Sequence, residues 1–255
     1  MSIPVTLHRV NLPGGYLFTQ GAHLCEWTPA GHRPVLFLSA KNSFEPGKPI
    51  RGGVPIIFPW FGSRPEGTHG YARTRIWELQ EQTGNEATLT LDADPFELKF
   101  RVVTGDALSL ELEVRNTCED PQQVEMALHT YLEISDIGQV AVSGLDGTEY
   151  LDKTDEFRRK KQTGDIQITS PTDRVYLNTP STCILHDSAW KRRITIEKTG
   201  SNTTVVWNPY TELADLDNWR GMICIETANA AENAITLEPG ATHTMTAHIS
   251  VAHGS

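Results

Sequence analysis

No recognisable nucleotide, metal or serine-nucleophile signature occurs in this chain. There is no Gly-x-Gly-x-x-Gly, no P-loop, no His-Glu-x-x-His, no Cys-x-x-Cys and no Gly-x-Ser-x-Gly. Any activity therefore has to come from positioned acids, bases and anion binders, with no cofactor and no metal expected. Cysteine is sparse, and its four copies, Cys25, Cys118, Cys183 and Cys224, show neither ligand spacing nor a paired framework, which fits reduced thiols inside a cell. Long apolar runs are missing too. The richest, Val54 to Phe61, is too short to span a bilayer and contains two prolines. The opening residues Met1-Ser2-Ile3-Pro4-Val5 lack a basic stretch followed by an apolar one, so no secretory signal and a cytoplasmic location are expected. Positive charge is also in short supply. A formal net charge of -10 argues against nucleic acid or an anionic membrane as partner, although a local group of arginines can still hold a small anion.

What is present is strand periodicity. Phe96, Leu98, Phe100 and Val102 alternate with Glu97, Lys99 and Arg101. After a Thr-Gly-Asp turn, Leu108, Leu110, Leu112 and Val114 alternate with Ser109, Glu111 and Glu113; Ala87 to Leu91 and Met245 to Val251 repeat the theme. This is the pattern of antiparallel strands with one buried and one wetter face. Turn sequences such as Pro13-Gly14-Gly15, Thr83-Gly84-Asn85 and Glu238-Pro239-Gly240 punctuate it. Helical periodicity is nearly absent, with one short helical turn expected between Ala214 and Arg220. No linker or repeat divides the 255 residues, which predicts an all-β sandwich forming one domain over 1–255. The basic run Arg158-Arg159-Lys160-Lys161 reads as a solvated loop.

Four segments carry the chemistry. In Arg51-Gly52-Gly53-Val54-Pro55, paired glycines beside an arginine permit close backbone approach to a ligand; a packed loop with a surface arginine is the plainer account. His69-Gly70-Tyr71-Ala72-Arg73-Thr74-Arg75 adds a histidine and arginines, whose planar forks suit phosphate. In Gln123 to Glu133, Val124, Met126, Leu128 and Leu132 take one strand face, leaving His129 on the other, polar one. Glu226 ends the apolar strand Met222-Ile223-Cys224-Ile225, where a lone carboxylate is costly unless paired or functional.

In order along the chain, these segments resemble the aldose-1-epimerase superfamily, in particular its hexose-6-phosphate 1-epimerase branch. Further matching stretches are Ser39-Ala40-Lys41, Asp173-Arg174-Val175-Tyr176 and Val206-Trp207-Asn208-Pro209. At Thr68 the sequence departs from relatives that carry glutamine. The resemblance implies a galactose-mutarotase-like supersandwich of large antiparallel sheets. It implies His129 as general acid, Glu226 as general base, His69 and Asp173 on sugar hydroxyls, and Arg51 and Arg73 on phosphate. Arg75 is outside the family motif, and Trp77 and Trp207 read equally well as core. The expected activity is interconversion of the anomers of D-glucose 6-phosphate or a related hexose 6-phosphate by a monomer acting on a small-molecule sugar phosphate. An aldose 1-epimerase for unphosphorylated sugar, which has no need of Arg51 and Arg73, and a non-catalytic carbohydrate-binding protein are the alternatives. A glycoside hydrolase would require two opposed carboxylates in place of a His/Glu pair.

Overall fold

A computed structural model describes residues 7–254, so Met1 to Val5 lie outside the described residues. Its architecture is all-β, with short 3-10 turns and no α-helix among the described residues. The alternating segments form the centre of one eight-stranded antiparallel sheet. Its strand order is Val140–Ser143, Cys183–Asp187, Arg192–Thr199, Thr242–His253, Ala107–Asn116, Phe96–Val103, Glu86–Ala93, Glu78–Thr83. Leu110 faces Val102 on one side and Ala247 on the other, and Leu112 faces Phe100 and Met245, so the apolar sets of three strands fall on one face. Each of these residues is fully buried. At about 1.5–3 kcal/mol per large apolar side chain, this face is a main source of cohesion.

A second large antiparallel sheet packs over that core. Its order is Arg158–Lys161, Glu149–Asp152, Thr172–Tyr176, Thr203–Asn208, Met222–Asn229, Met126–Leu128, Ile56–Ile57, with Tyr131–Glu133 also pairing to Met222–Asn229. One face of this second sheet sends Met126, Leu128, Tyr176, Val206, Ile223 and Ile225 into the core shared with the first sheet. The other face is covered as well, so all eight residues of Met222–Asn229 are buried.

Several local expectations are corrected. Glu226 lies within the Met222–Asn229 strand and not at its end. The face carrying His129 is not a wet one, because Ala127, His129 and Tyr131 are all buried. Arg158–Lys161 is an edge strand, not a loop. Arg159 pairs with Glu149 at 3.2 Å and with Glu232, and Lys160 bridges Asp152 and Asp155 at 2.8 Å each. Charge on an exposed edge discourages further strand pairing. The helical turn falls at Trp219–Gly221, C-terminal to most of the expected span. The paired glycines serve the chain's own packing: a Cβ on Gly52 would lie 2.5 Å from the Phe37 carbonyl oxygen, and one on Gly53 2.1 Å from that of Leu24.

Candidate active site

The second sheet's covered face builds a cleft by simple strand arithmetic. Leu128 pairs with Thr227 and Tyr131 with Cys224, which places His129 directly across from Glu226. Opposed residues of an antiparallel pair project to the same side with their Cβ atoms about 5 Å apart. Accordingly His129 Nε2 and Glu226 Oε1 lie 3.3 Å from each other. Two residues further on, the same face carries Tyr131, Cys224, Trp207 and Asp173, the last two paired across neighbouring strands. On the other side lies an apolar row of Ala127, Val175, Val205 and Ala228. The acid–base pair thus sits between a dry floor and an aromatic border.

Loops bring the other groups over this face. Arg51 is fixed by Asn42, whose Oδ1 accepts from the Arg51 N–H at 2.7 Å and whose Nδ2 donates to the Arg51 carbonyl at 2.8 Å. Behind it, the fully buried His23 donates from Nε2 to the Gly52 carbonyl at 2.8 Å; burial holds its pKa down at about 4, so the ring is neutral. His69 has a positive φ of 65°. That conformation is held by reciprocal bonds with Gly62, whose carbonyl accepts from the His69 N–H at 2.8 Å and whose N–H donates to His69 Nδ1 at 3.2 Å. With Nδ1 accepting, the proton of the neutral ring sits on Nε2. Burial and the charges of Arg73, Lys153 and Arg51 lower the His69 pKa to about 3. Arg73 donates from Nη2 to the Thr68 carbonyl at 2.6 Å, while its buried Nε has no partner.

The result is two adjoining chambers. One, of about 120 Å³, is lined by Arg51, Phe61, His69, His129, Lys153, Asp173, Trp207 and Glu226. Its neighbour, of about 130 Å³, shares Arg51, His69 and His129 and adds Pro49, Ile50, Pro55, Arg73, Tyr131 and Asp215. Six residues singled out from sequence, His129, Glu226, Arg51, His69, Arg73 and Asp173, therefore border one continuous cleft. Arg75 is exposed outside it, with its guanidinium over the Tyr71 ring, and Trp77 is core. Trp207 lines the cleft. A wider hollow of about 480 Å³ lies over the first sheet among Glu97, Lys99 and Arg115, but these charges are exposed and Arg115 pairs with Glu97 at 3.3 Å.

Lys153, Tyr131 and Asp215 were not anticipated. Lys153 follows the Glu149–Asp152 strand and donates to Asp173 Oδ2 at 2.6 Å. It opens the 3-10 turn Lys153–Asp155, where strand alternation no longer applies, so periodicity gave no sign of it. Tyr131 stacks on the His129 ring at 4.8 Å and 12°, and its hydroxyl accepts from Arg51 Nη1 at 2.9 Å. Asp215 sits in an irregular segment, where no periodicity could announce it.

Electrostatically, the protein shifts the two members of the buried pair in opposite directions. Burial, reinforced by Asp173 and opposed by Lys153, pushes the Glu226 pKa well above the carboxylate range. Burial, then the charges of His69, Arg51 and Arg73, pushes His129 well below the usual histidine value. Both shifts disfavour charge on the pair in a site without ligand. Glu226 Oε2 and His129 Nδ1 are buried without partners among the described residues. Unsatisfied buried polar atoms of this kind are rare, and here they border a cleft that a polar ligand can fill. The set can move protons at one point and hold an anion beside it. No group of three or more His, Cys, Asp or Glu side chains arranged to hold a metal ion occurs among the described residues.

Comparison with known proteins agrees with this chemistry. The family model described as aldose 1-epimerase matches residues 17–250. A protein of Cenchrus ciliaris named "Putative glucose-6-phosphate 1-epimerase" is 34% identical, over 93% of this chain and 82% of its own length. An Escherichia coli K12 protein of the same name is 36% identical, over 84% of this chain and 79% of its own. A crystal structure from Salmonella typhimurium, described as a putative mutarotase, superposes with a TM-score of 0.87 at 30% identity, covering 96% of this chain and 90% of that one.

Proposed function

Because the chain belongs to the aldose 1-epimerase family and is an isomerase of that kind, we propose that it interconverts the α and β anomers of a hexose 6-phosphate, D-glucose 6-phosphate above all. The observation that carries the choice of substrate is the adjacency of the two chambers. Arg51 and Arg73 border the chamber next to the His129–Glu226 pair, where an unphosphorylated sugar would have no use for two cations. One clasps a phosphate while the other holds the pyranose ring.

The mechanism uses the closeness of acid and base. The anomeric hydroxyl oxygen and the ring oxygen are borne by the same carbon, so groups 3.3 Å apart can serve both at once. Transfer of the shared proton from Glu226 to His129 gives a carboxylate beside an imidazolium. Phosphate on Arg51 and Arg73 favours that form, because it offsets the cations that otherwise disfavour a charged His129. Glu226 then takes the proton of the anomeric hydroxyl while His129 gives its proton to the ring oxygen, and the C1–ring-oxygen bond breaks. The open aldehyde turns about C1–C2, recloses on its other face, and the two protons return. General acid–base assistance contributes about 10²–10⁴-fold per group. His69 Nε2–H and Asp173, held by Lys153, orient sugar hydroxyls. Both protons are moved by side chains, so the scheme calls for no cofactor. On this reading the protein is a cytoplasmic monomer acting on a small molecule, without nucleic acid or membrane; the net charge of -10 supports only the exclusion of polyanionic partners. No described helix is long and apolar enough to cross a bilayer.

Anomer exchange followed by NMR on glucose 6-phosphate and on glucose, with Arg51→Ala and Arg73→Ala, tests the reading. Each variant should lose about ten- to a hundred-fold in kcat/KM on the phosphorylated sugar, the equivalent of roughly 1.5–3 kcal/mol for a hydrogen bond to a charged group, and largely spare glucose. Equal losses on both sugars would make a plain aldose 1-epimerase the better reading.

A further inference from the structure

Arg51's fork is already occupied. Its Nε and Nη2 both donate to Oδ2 of Asp215, at 3.0 and 2.7 Å, and its Nη1 donates to Tyr131. Asp215 stands at the corner of a turn closed by the Leu216 N–H donating to the Leu213 carbonyl at 3.2 Å. The next two residues anchor that turn. Leu216 is fully buried against Phe37, Tyr131, Met222 and Cys224, and Asp217 accepts from Ser39 Oγ at 3.0 Å and from the Ala40 N–H at 3.3 Å. A carboxylate is thereby aimed over the anion chamber, within the lining that also includes Arg73.

Resting on the hexose 6-phosphate reading, we propose that Asp215 is a built-in stand-in for the phosphate: it occupies Arg51 when the site has no ligand and is displaced when a sugar phosphate binds. Charge balance and mobility agree on which partner leaves. With phosphate present as a dianion, the three cations Arg51, Arg73 and Lys153 are matched by it together with Asp173, and a retained Asp215 would stand beside the phosphate as an uncompensated negative charge. The Arg51 side chain is 27% exposed and held by Tyr131, on a backbone that Asn42 fixes, whereas the side chain of Asp215 is 54% exposed. The aspartate can turn to water at little cost, and the arginine cannot. A half-exposed ion pair contributes little to stability, so a ligand can exchange it. The consequence is a site whose affinity for every phosphate is lowered by the same factor. A hexose phosphate recovers binding in the chamber beside His129 and Glu226, whereas a bare phosphate ion has no contacts there and is left a weak ligand.

The test measures inorganic phosphate as a competitive inhibitor of anomer exchange in wild type, Asp215→Asn, Asp217→Asn and Arg51→Ala. Asparagine keeps the shape and an acceptor oxygen but removes the charge. Asp215→Asn should bind inorganic phosphate about three- to tenfold more tightly, a change of the size an exposed ion pair supports. Asp217→Asn, which loosens the turn without altering the charge facing Arg51, should not. Unchanged or weaker phosphate binding in Asp215→Asn would overturn the inference, and so would equal tightening in Asp217→Asn, which would assign the effect to a loosened turn. Phosphate inhibition that survives undiminished in Arg51→Ala would instead bring down the hexose 6-phosphate reading itself.

Discussion

Two side chains, 97 positions apart in sequence, are assigned the proposed chemistry because one antiparallel register sets them face to face. Glu226→Gln and His129→Asn preserve volume and hydrogen-bonding capacity, so each should lower kcat by about 10²–10⁴-fold with the fold intact, as checked by circular dichroism and NMR exchange. Near-normal turnover in either would remove it from the acid–base role. The pH dependence follows from the shared proton. The pair is competent with one proton between its two sites; a second proton stops it on the acid side, and loss of the first stops it on the alkaline side. Burial and the neighbouring cations hold His129 below its usual 6.5, so the acid limb of kcat/KM should lie below that value. Burial and Asp173 raise Glu226, so the alkaline limb should lie well above the ordinary carboxylate range of about 4.5. An acid limb at or above pH 6.5, or an alkaline limb within the ordinary carboxylate range, would contradict this assignment.

At the level of strands and loops, the segment His69–Arg73 depends on one close backbone approach. Gly70 has φ +67°, and a Cβ there would lie 1.8 Å from the Phe58 carbonyl oxygen. That oxygen also accepts from the Tyr71 and Ala72 N–H groups, fixing the loop between His69 and Arg73. Gly70→Ala adds a left-handed penalty of about 1–2 kcal/mol to a clash with backbone that cannot yield locally. It should lower Tm and reduce kcat/KM at least about tenfold, because His69 and Arg73 shift together. Gly84→Ala, in an open hairpin turn at φ +54°, carries the conformational penalty alone and should leave exchange kinetics unchanged. Normal kinetics in Gly70→Ala would refute the positioning argument. Legibility in the sequence follows the same division. Strands such as Phe96–Val103 could be read from alternation because one face meets core and the other water. Met222–Asn229 is buried on both faces, so contrast between alternate residues vanishes and only a carboxylate inside an apolar run marks the site. The residue types of the cleft were legible through the family resemblance. The cross-strand register of His129 with Glu226 was not, because pairing between distant strands leaves no local trace. Nor was the Arg51–Asp215 pair, made by a turn without periodicity.

Over the whole molecule, a net charge of -10 surrounds a cleft holding Arg51, Arg73 and Lys153. The proposed anion binding belongs to a site assembled from several distant segments, which exists only in the folded chain. Ligand that binds the native state alone must therefore raise the stability of the whole molecule. Glucitol 6-phosphate carries the phosphate and hydroxyls but no anomeric carbon, so it binds without being turned over. At a hundred times its Kd it should add about 2.7 kcal/mol of stability. For a chain of this size that corresponds to a Tm increase of roughly 5–10 °C in a calorimetric scan. Glucitol without phosphate should give a much smaller shift at the same concentration, and Arg51→Ala should reduce the response to glucitol 6-phosphate toward that level. The comparison separates phosphate recognition from general carbohydrate binding without reliance on turnover. If glucitol and its 6-phosphate stabilise the wild-type protein equally, or if Arg51→Ala retains the full shift, the arginines serve the fold and the phosphate has no place in the cleft.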